Sequence, residues 1–217
     1  MLNALAYAFV DAVNVLLIGV LVALALISTK GRYAPVSALL LFGDWLGVLV
    51  LALIVLLAFD GLGEFVKHVV ESAFFGGLLI LTGVVTAILT IRGGDSSKLI
   101  NRILEPLRSP SPITVLAGLI LGVIQSATSV PFFAGLAVLS ASDIPATQRY
   151  LGLFLYATVA LSLPIVAALL LGLVRKTPDS IFSRTFSLAR EHKNAVVKAA
   201  GYLVAVLLVA IGVLRLM

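Results

Sequence analysis

Apolar runs long enough to cross a bilayer recur along this chain of 217 residues, beginning with 5–27 and 36–59. A transmembrane helix needs about 20 mostly apolar residues. Lipid offers no partner to an unpaired backbone N–H or C=O, so runs of this length fold as helices. The hydrophobic share is 61% and the charged share 12%, against roughly half and a quarter in a soluble domain. The chain therefore reads as an all-α integral membrane protein. Six spans are expected, near 3–28, 34–58, 72–91, 113–141, 147–173 and 195–216. The fourth is too long for one straight helix, and Pro131 inside it predicts a kink or break. The N-terminus lacks a basic leader, and Asp11 interrupts its long apolar stretch, so it does not read as a cleavable signal peptide.

Lys and Arg fall unevenly between the two sides of these spans. Lys30 and Arg32 follow span one, and Arg92, Lys98, Arg102 and Arg108 follow span three. Arg175, Lys176, Arg184, Arg190, Lys193 and Lys198 surround the connector after span five. Only Lys67, Arg149 and Arg215 lie opposite. The positive-inside rule then puts these three connectors in the cytoplasm and both termini outside. The expected localisation is a bacterial cytoplasmic (inner) membrane, crossed several times.

Residues 92–112 carry charge and three prolines and read as a cytoplasmic polar linker between a first three-helix repeat, 1–91, and a second, 113–217. With an odd number of spans per half, the second half must enter from the opposite face. That predicts a 3+3 inverted-topology repeat, an architecture that places substrate sites at the midplane on broken helices. Aligning Phe42 with Phe154 sets Asp44 opposite Tyr156. The connector 174–194 interleaves Ile181, Phe182, Phe186 and Leu188 with basic residues, which fits a basic amphipathic helix on the cytoplasmic leaflet as well as a solvated loop.

Several chemistries are set aside. The chain has no cysteine, so disulfides, zinc–thiolate sites and thiol redox are excluded. No metal-ligand set, nucleophile elbow or phosphate loop is found, and no cofactor is expected. The net charge of +5 suits orientation and anionic lipid rather than nucleic acid. His68 and His192 read as solvated connector residues.

Two aspartates lie inside the apolar runs, Asp11 in the first and Asp44 in the second. A carboxylate at membrane depth costs several kcal/mol unless it is paired, hydrated or protonated. At a rise of 1.5 Å per residue, Asp11 lies about 12 Å in from one face and Asp44 about 15 Å from the other. In a core about 30 Å thick these levels nearly coincide. The same counting brings Asn14, Gln125, Ser126, Ser129 and Tyr156 to that layer. Asp11 and Asn14 are three residues apart and share a helix face, as do Gln125 and Ser129 at a spacing of four. These seven residues are the candidate substrate or ion site. Pro131 and Pro164 are the candidate helix breaks.

The run Phe9-Val10-Asp11-Ala12-Val13-Asn14, opening the first span, resembles the LysE transporter superfamily, and within it the GAP group, named for addressing glycopeptidolipids to the cell surface. The Gly43-Asp44-Trp45 step of span two fits that pattern. So do Gly122-Val123-Ile124-Gln125-Ser126-Ala127-Thr128-Ser129-Val130-Pro131 in span four and the central Pro164 of span five. The resemblance implies export of small polar metabolites or lipid-linked molecules. The family proline after Asn14 is Val15 here, which argues against a break in span one. Disulfide-reductant carriers of the same superfamily need cysteines that this chain lacks.

The leading expectation is thus a secondary transporter or exporter, not an enzyme, coupled to protons or cations through Asp11 and Asp44. An acid at the midplane favours its neutral form, so access from either side can gate its protonation. A non-transporting assembly partner of an envelope-lipid enzyme also fits. An intramembrane aspartyl enzyme fits less well, since residues 41–44 carry only one glycine of the Gly-x-Gly-Asp pattern. The expected partners are membrane lipid and a small-molecule or lipid-linked substrate. A homodimer fits so small a core.

Overall fold

The computed structural model describes residues 2–28, 31–92, 110–176 and 193–216. Most of the expected polar linker and basic connector, with Lys30 and His192, lies outside the described residues. Within them there are ten helices and no strand. They are α1 (Leu2–Asp11), α2 (Val15–Ile27), α3 (Tyr33–Leu62), α4 (Glu64–Glu71) and α5 (Ala73–Arg92), followed by α6 (Pro112–Ala127), α7 (Val130–Ser140), α8 (Ala146–Ala160), α9 (Ser162–Lys176) and α10 (Lys193–Leu216).

Two helical stretches are by themselves long and apolar enough to cross a membrane: Ala4–Ala25, built from α1 and α2, and α3. Three bent pairs raise the number to as many as five. They are Glu64–Glu71 with Ala73–Val85 at 65°, Pro112–Ala127 with Val130–Ser140 at 77°, and Ala146–Ala160 with Ser162–Arg175 at 40°. The last helix, α10, carries a shorter apolar stretch, Ala205–Leu214.

The breaks have local causes. The sharpest follows α6, where Ser129 caps α7 by accepting the Phe132 N–H at 3.2 Å. Pro131 occupies the first turn of α7, where its missing N–H removes no helical bond. Pro164 sits likewise in the first turn of α9, just after the interruption at Leu161. Span one is broken too, contrary to the expectation drawn from Val15. Helix α1 stops at Asp11, and α2 restarts behind Asn14, whose side chain accepts the Leu17 N–H at 3.0 Å. Asparagine is among the strongest N-caps, so a start signal here replaces the missing proline.

Helices α3 and α6 lie against each other through glycine. A Cβ placed at Gly118 would fall on the Leu40 carbonyl oxygen, and one at Gly43 on that of Val115. Small residues permit this backbone approach where lipid supplies no hydrophobic drive between helices. Around that axis α1 packs on α7 and α8, and α2 packs on α9. Helices α5 and α10 pair through Gly76, Gly83 and Gly212.

Candidate functional site

The two capped breaks, Ala12–Asn14 and Thr128–Ser129, open into one cavity of about 510 Å³. That lies within the roughly 300–1,000 Å³ of ordinary ligand pockets. Asp11, Asn14, Gln125, Ser126, Ser129 and Pro131 all line it, so six residues singled out in the sequence meet on one wall system. Thr82 and Thr128 add hydroxyls, and Val10, Leu16, Ile124, Leu161 and Leu208 add apolar surface.

Ser129 joins the two breaks chemically. Its oxygen accepts the Phe132 N–H as the cap of α7, while its hydroxyl donates to Asp11 Oδ1 at the end of α1. The carboxylate of Asp11 is thereby held beside the N-terminus of α7, whose unsatisfied N–H groups favour negative charge. A polar arrangement at this depth needs internal partners, since lipid provides none.

Asp44 lies one layer behind. It is 0% exposed, and Gln125 Nε2 donates to its Oδ1 at 2.8 Å and to its Oδ2 at 2.9 Å. Gln125 thus stands between the buried acid of α3 and the cavity, and its own Oε1 is buried without a partner among the described residues. Tyr156 is 1% exposed and does not line the cavity. Its hydroxyl donates to the Pro131 carbonyl at 3.4 Å, and its ring meets Phe132 edge-on, so it braces the break from behind. Pro164 is buried in α9, away from the cavity wall.

A second polar cluster escaped the sequence reading. Asp60, at the end of α3, accepts from Ser140 Oγ at 2.6 Å, Arg149 Nη1 at 3.1 Å and Tyr150 OH at 3.0 Å. Arg149 Nη1 also donates to the Ser140 carbonyl at 2.7 Å. Asp60 and Arg149 are 89 residues apart in the sequence. Near the other end of α3, Arg175 Nη2 donates to the Ser28 carbonyl at 2.7 Å, and its guanidinium lies 5.4 Å from the centre of the Tyr33 ring. Both ties cross from the first half of the chain to the second. The Lys67–Asp143 pair, by contrast, is exposed and contributes little.

The Asp60 tie carries a prediction. Arg149→Leu removes the charged donor but leaves Ser140 and Tyr150, and is expected to destabilise by about 1–3 kcal/mol. Thermal unfolding in detergent reads this as a lower midpoint. Unchanged stability would mean that the tie contributes nothing.

Apolar helices of membrane-crossing length, broken around a cavity of polar side chains, define an integral membrane protein. Residues 4–217 match the model of a family described as Sap, sulfolipid-1-addressing protein, and the chain belongs to that family. Neither a curated protein nor a solved structure matches it.

Proposed function

We propose that this protein is a secondary transporter that exports a small polar metabolite or a lipid-linked molecule across the bacterial cytoplasmic membrane, coupled to protons or cations through Asp11 and Asp44. The observation that carries this reading is the pair of capped helix breaks facing one cavity, with the Ser129 hydroxyl bridging from one break to the carboxylate at the other. Broken helices around a central site are the usual substrate and ion positions of small inverted-repeat carriers. The family's description, an addressing protein for a sulfolipid, supports lipid as cargo. The LysE and GAP resemblance belongs to the same proposal.

The same features support six spans in two inverted halves, and the Lys and Arg asymmetry supports outward termini. Asn14 and Ser129 cap corresponding broken helices, and α5 pairs with α10, its counterpart in the other half. In this reading Asp11, Asn14, Gln125, Ser126 and Ser129 contact cargo or ion. Asp44 acts through Gln125, and Tyr156 holds the Pro131 turn. One feature favours the alternative, a non-transporting partner of an envelope-lipid enzyme: Asp11 and Asp44 each already have a partner inside the chain.

The test uses the purified chain in proteoliposomes with an imposed pH gradient and a fluorophore-labelled galactosylceramide as probe. The wild type is expected to move the probe, and Asp11→Asn and Asp44→Asn to reduce the rate about tenfold or more while still expressing and folding; each tenfold is about 1.4 kcal/mol. Full transport by both single variants would overturn the coupling role. A wild type that binds the probe but does not move it would turn the reading to the assembly partner.

A further inference from the structure

Three levels follow one another along α3. Tyr33, Val36 and Leu40 pack with residues of α2, α6 and α9 in one buried apolar cluster. Asp44 comes next, sealed under Gln125. Val48, Ala52 and Leu56 then pack with residues of α1, α7 and α8 in a second cluster. The cavity lies between the two. Its wall includes Val48, Ala160 and Leu161 from the second cluster and Leu16, which packs against the first. Each cluster thus fills the bundle between the cavity and one of its ends, as a dry plug that water and ions do not enter.

Each plug is closed off by a polar tie. Beyond Leu56, Asp60 accepts from Arg149 and Tyr150 at the start of α8. Beyond Val36, the Tyr33 ring lies beneath the guanidinium of Arg175 at the end of α9, and Arg175 also donates to the Ser28 carbonyl. The two ties are about 40 Å apart along α3. Under the inverted repeat, α1 and α2 correspond to α6 and α7, and the two parts of α3 to α8 and α9. That exchange converts one plug into the other. It also converts the tie from the end of α3 to the start of α8 into the tie from the end of α9 to the start of α3. Arg32-Tyr33 and Arg149-Tyr150 open the corresponding spans.

The parts joined by the ties differ in stiffness. Helix α3 is locked to α6 by backbone contact at Gly43, Gly47, Gly118 and Gly122. The span α8–α9 bends by 40° at a break whose Leu161 lies in the cavity wall. That break lets one half of the span move while the other stays in place.

We propose that the two ties are latches on a pair of gates that open in turn. Release of Asp60 from Arg149 and Tyr150 lets α8 leave α3 and opens the cavity toward one face of the membrane. Release of Arg175 from Tyr33 and Ser28 lets α9 leave and opens it toward the other. Both latches are made here, so this is the form closed at both ends. The inference rests on the transport reading and adds the route by which the cavity is reached. The Lys and Arg asymmetry puts the Arg175 latch on the cytoplasmic face.

The experiment uses the absence of cysteine. Val13→Cys, in the cavity wall at the α1–α2 break, gives the full chain a single thiol. A permanently charged methanethiosulfonate reaches it through water and not through lipid. The reagent is applied to spheroplasts for the outer face and to inside-out membrane vesicles for the cytoplasmic face. Arg149→Leu should raise the labelling rate several-fold from the outer face alone, and Arg175→Met from the cytoplasmic face alone. Loss of a contact made only in the closed form shifts the population toward the open one. Arg175→Lys keeps a cation over the Tyr33 ring and should stay near the parent rate. Should either variant fail to fold, Tyr150→Phe or Arg175→Gln removes less of the tie and carries the same one-sided expectation. Exchanged sides would support the gates and reverse the orientation. No rise with one of the two ties broken, a rise from both faces with one variant, or a rise from the same face with both would overturn the gates and leave the ties as structural braces. The labelling needs no cargo, so such a result does not touch the transport reading, which falls only with the proteoliposome measurement.

Discussion

Gln125→Leu is expected to lower stability by about 2–3 kcal/mol and to silence transport. The leucine keeps the volume but removes the two contacts of 2.8 and 2.9 Å on the Asp44 carboxylate. Asp44 is fully buried, so neither water nor lipid can replace the amide. Adding Asp44→Leu should restore most of the lost stability, since replacing both partners by apolar groups of similar shape is close to neutral. Transport should stay silent in the double variant, because the acid itself is gone. The thermal midpoint in detergent, followed through Trp45 beside Asp44, and the proteoliposome rate together read the two effects. If the double variant were no more stable than Gln125→Leu alone, the Asp44–Gln125 bond would not be the source of the loss.

Gly118→Val should impair folding as well. Its Cβ would fall on the Leu40 carbonyl oxygen and lie 2.9 Å from the Asp44 nitrogen and 3.1 Å from the Gly43 Cα. These are backbone atoms and cannot swing aside, so α3 and α6 must separate along the seam that also holds Gly47 and Gly122. Overpacking of this kind costs about 1–3 kcal/mol and sometimes more. Separation would also pull Gln125 away from Asp44, so folding and transport should fail together. Gly77→Ala in α5 is the control, because nothing lies within 4 Å of its added Cβ. It should leave the thermal midpoint unchanged or slightly raised, as alanine favours a helix over glycine. A Gly118→Val protein as stable as the Gly77→Ala control would refute the close α3–α6 crossing.

Part of the site was legible before any fold was known. Depth along a helix is one-dimensional, so counting residues brought Asp11, Asn14, Gln125, Ser126 and Ser129 to one layer. They do line one cavity. Counting could not tell which partner each residue takes, because that depends on the rotation of each helix about its axis. Asp44 and Tyr156 share the layer but lie behind the wall, one under Gln125 and the other behind Pro131. The break after Asp11 was not legible from proline content, because the capping side chain of Asn14, and not a proline, starts α2. The Asp60–Arg149 tie was invisible because two ordinary terminal charges carry no sign that they will meet.

The sequence alone determined that this chain crosses lipid as helices, since apolar runs of that length leave the backbone no other way to satisfy its hydrogen bonds. The fixed rise per residue also led to the expectation that Asp11, Asn14, Gln125, Ser126 and Ser129 lie near one level, and these five line one cavity. Only the tertiary structure decided how those groups pair, and which acid is sealed and which faces the cavity. These outcomes depend on helix rotation and on backbone contact through glycine, which arise between helices and are not written along any one of them.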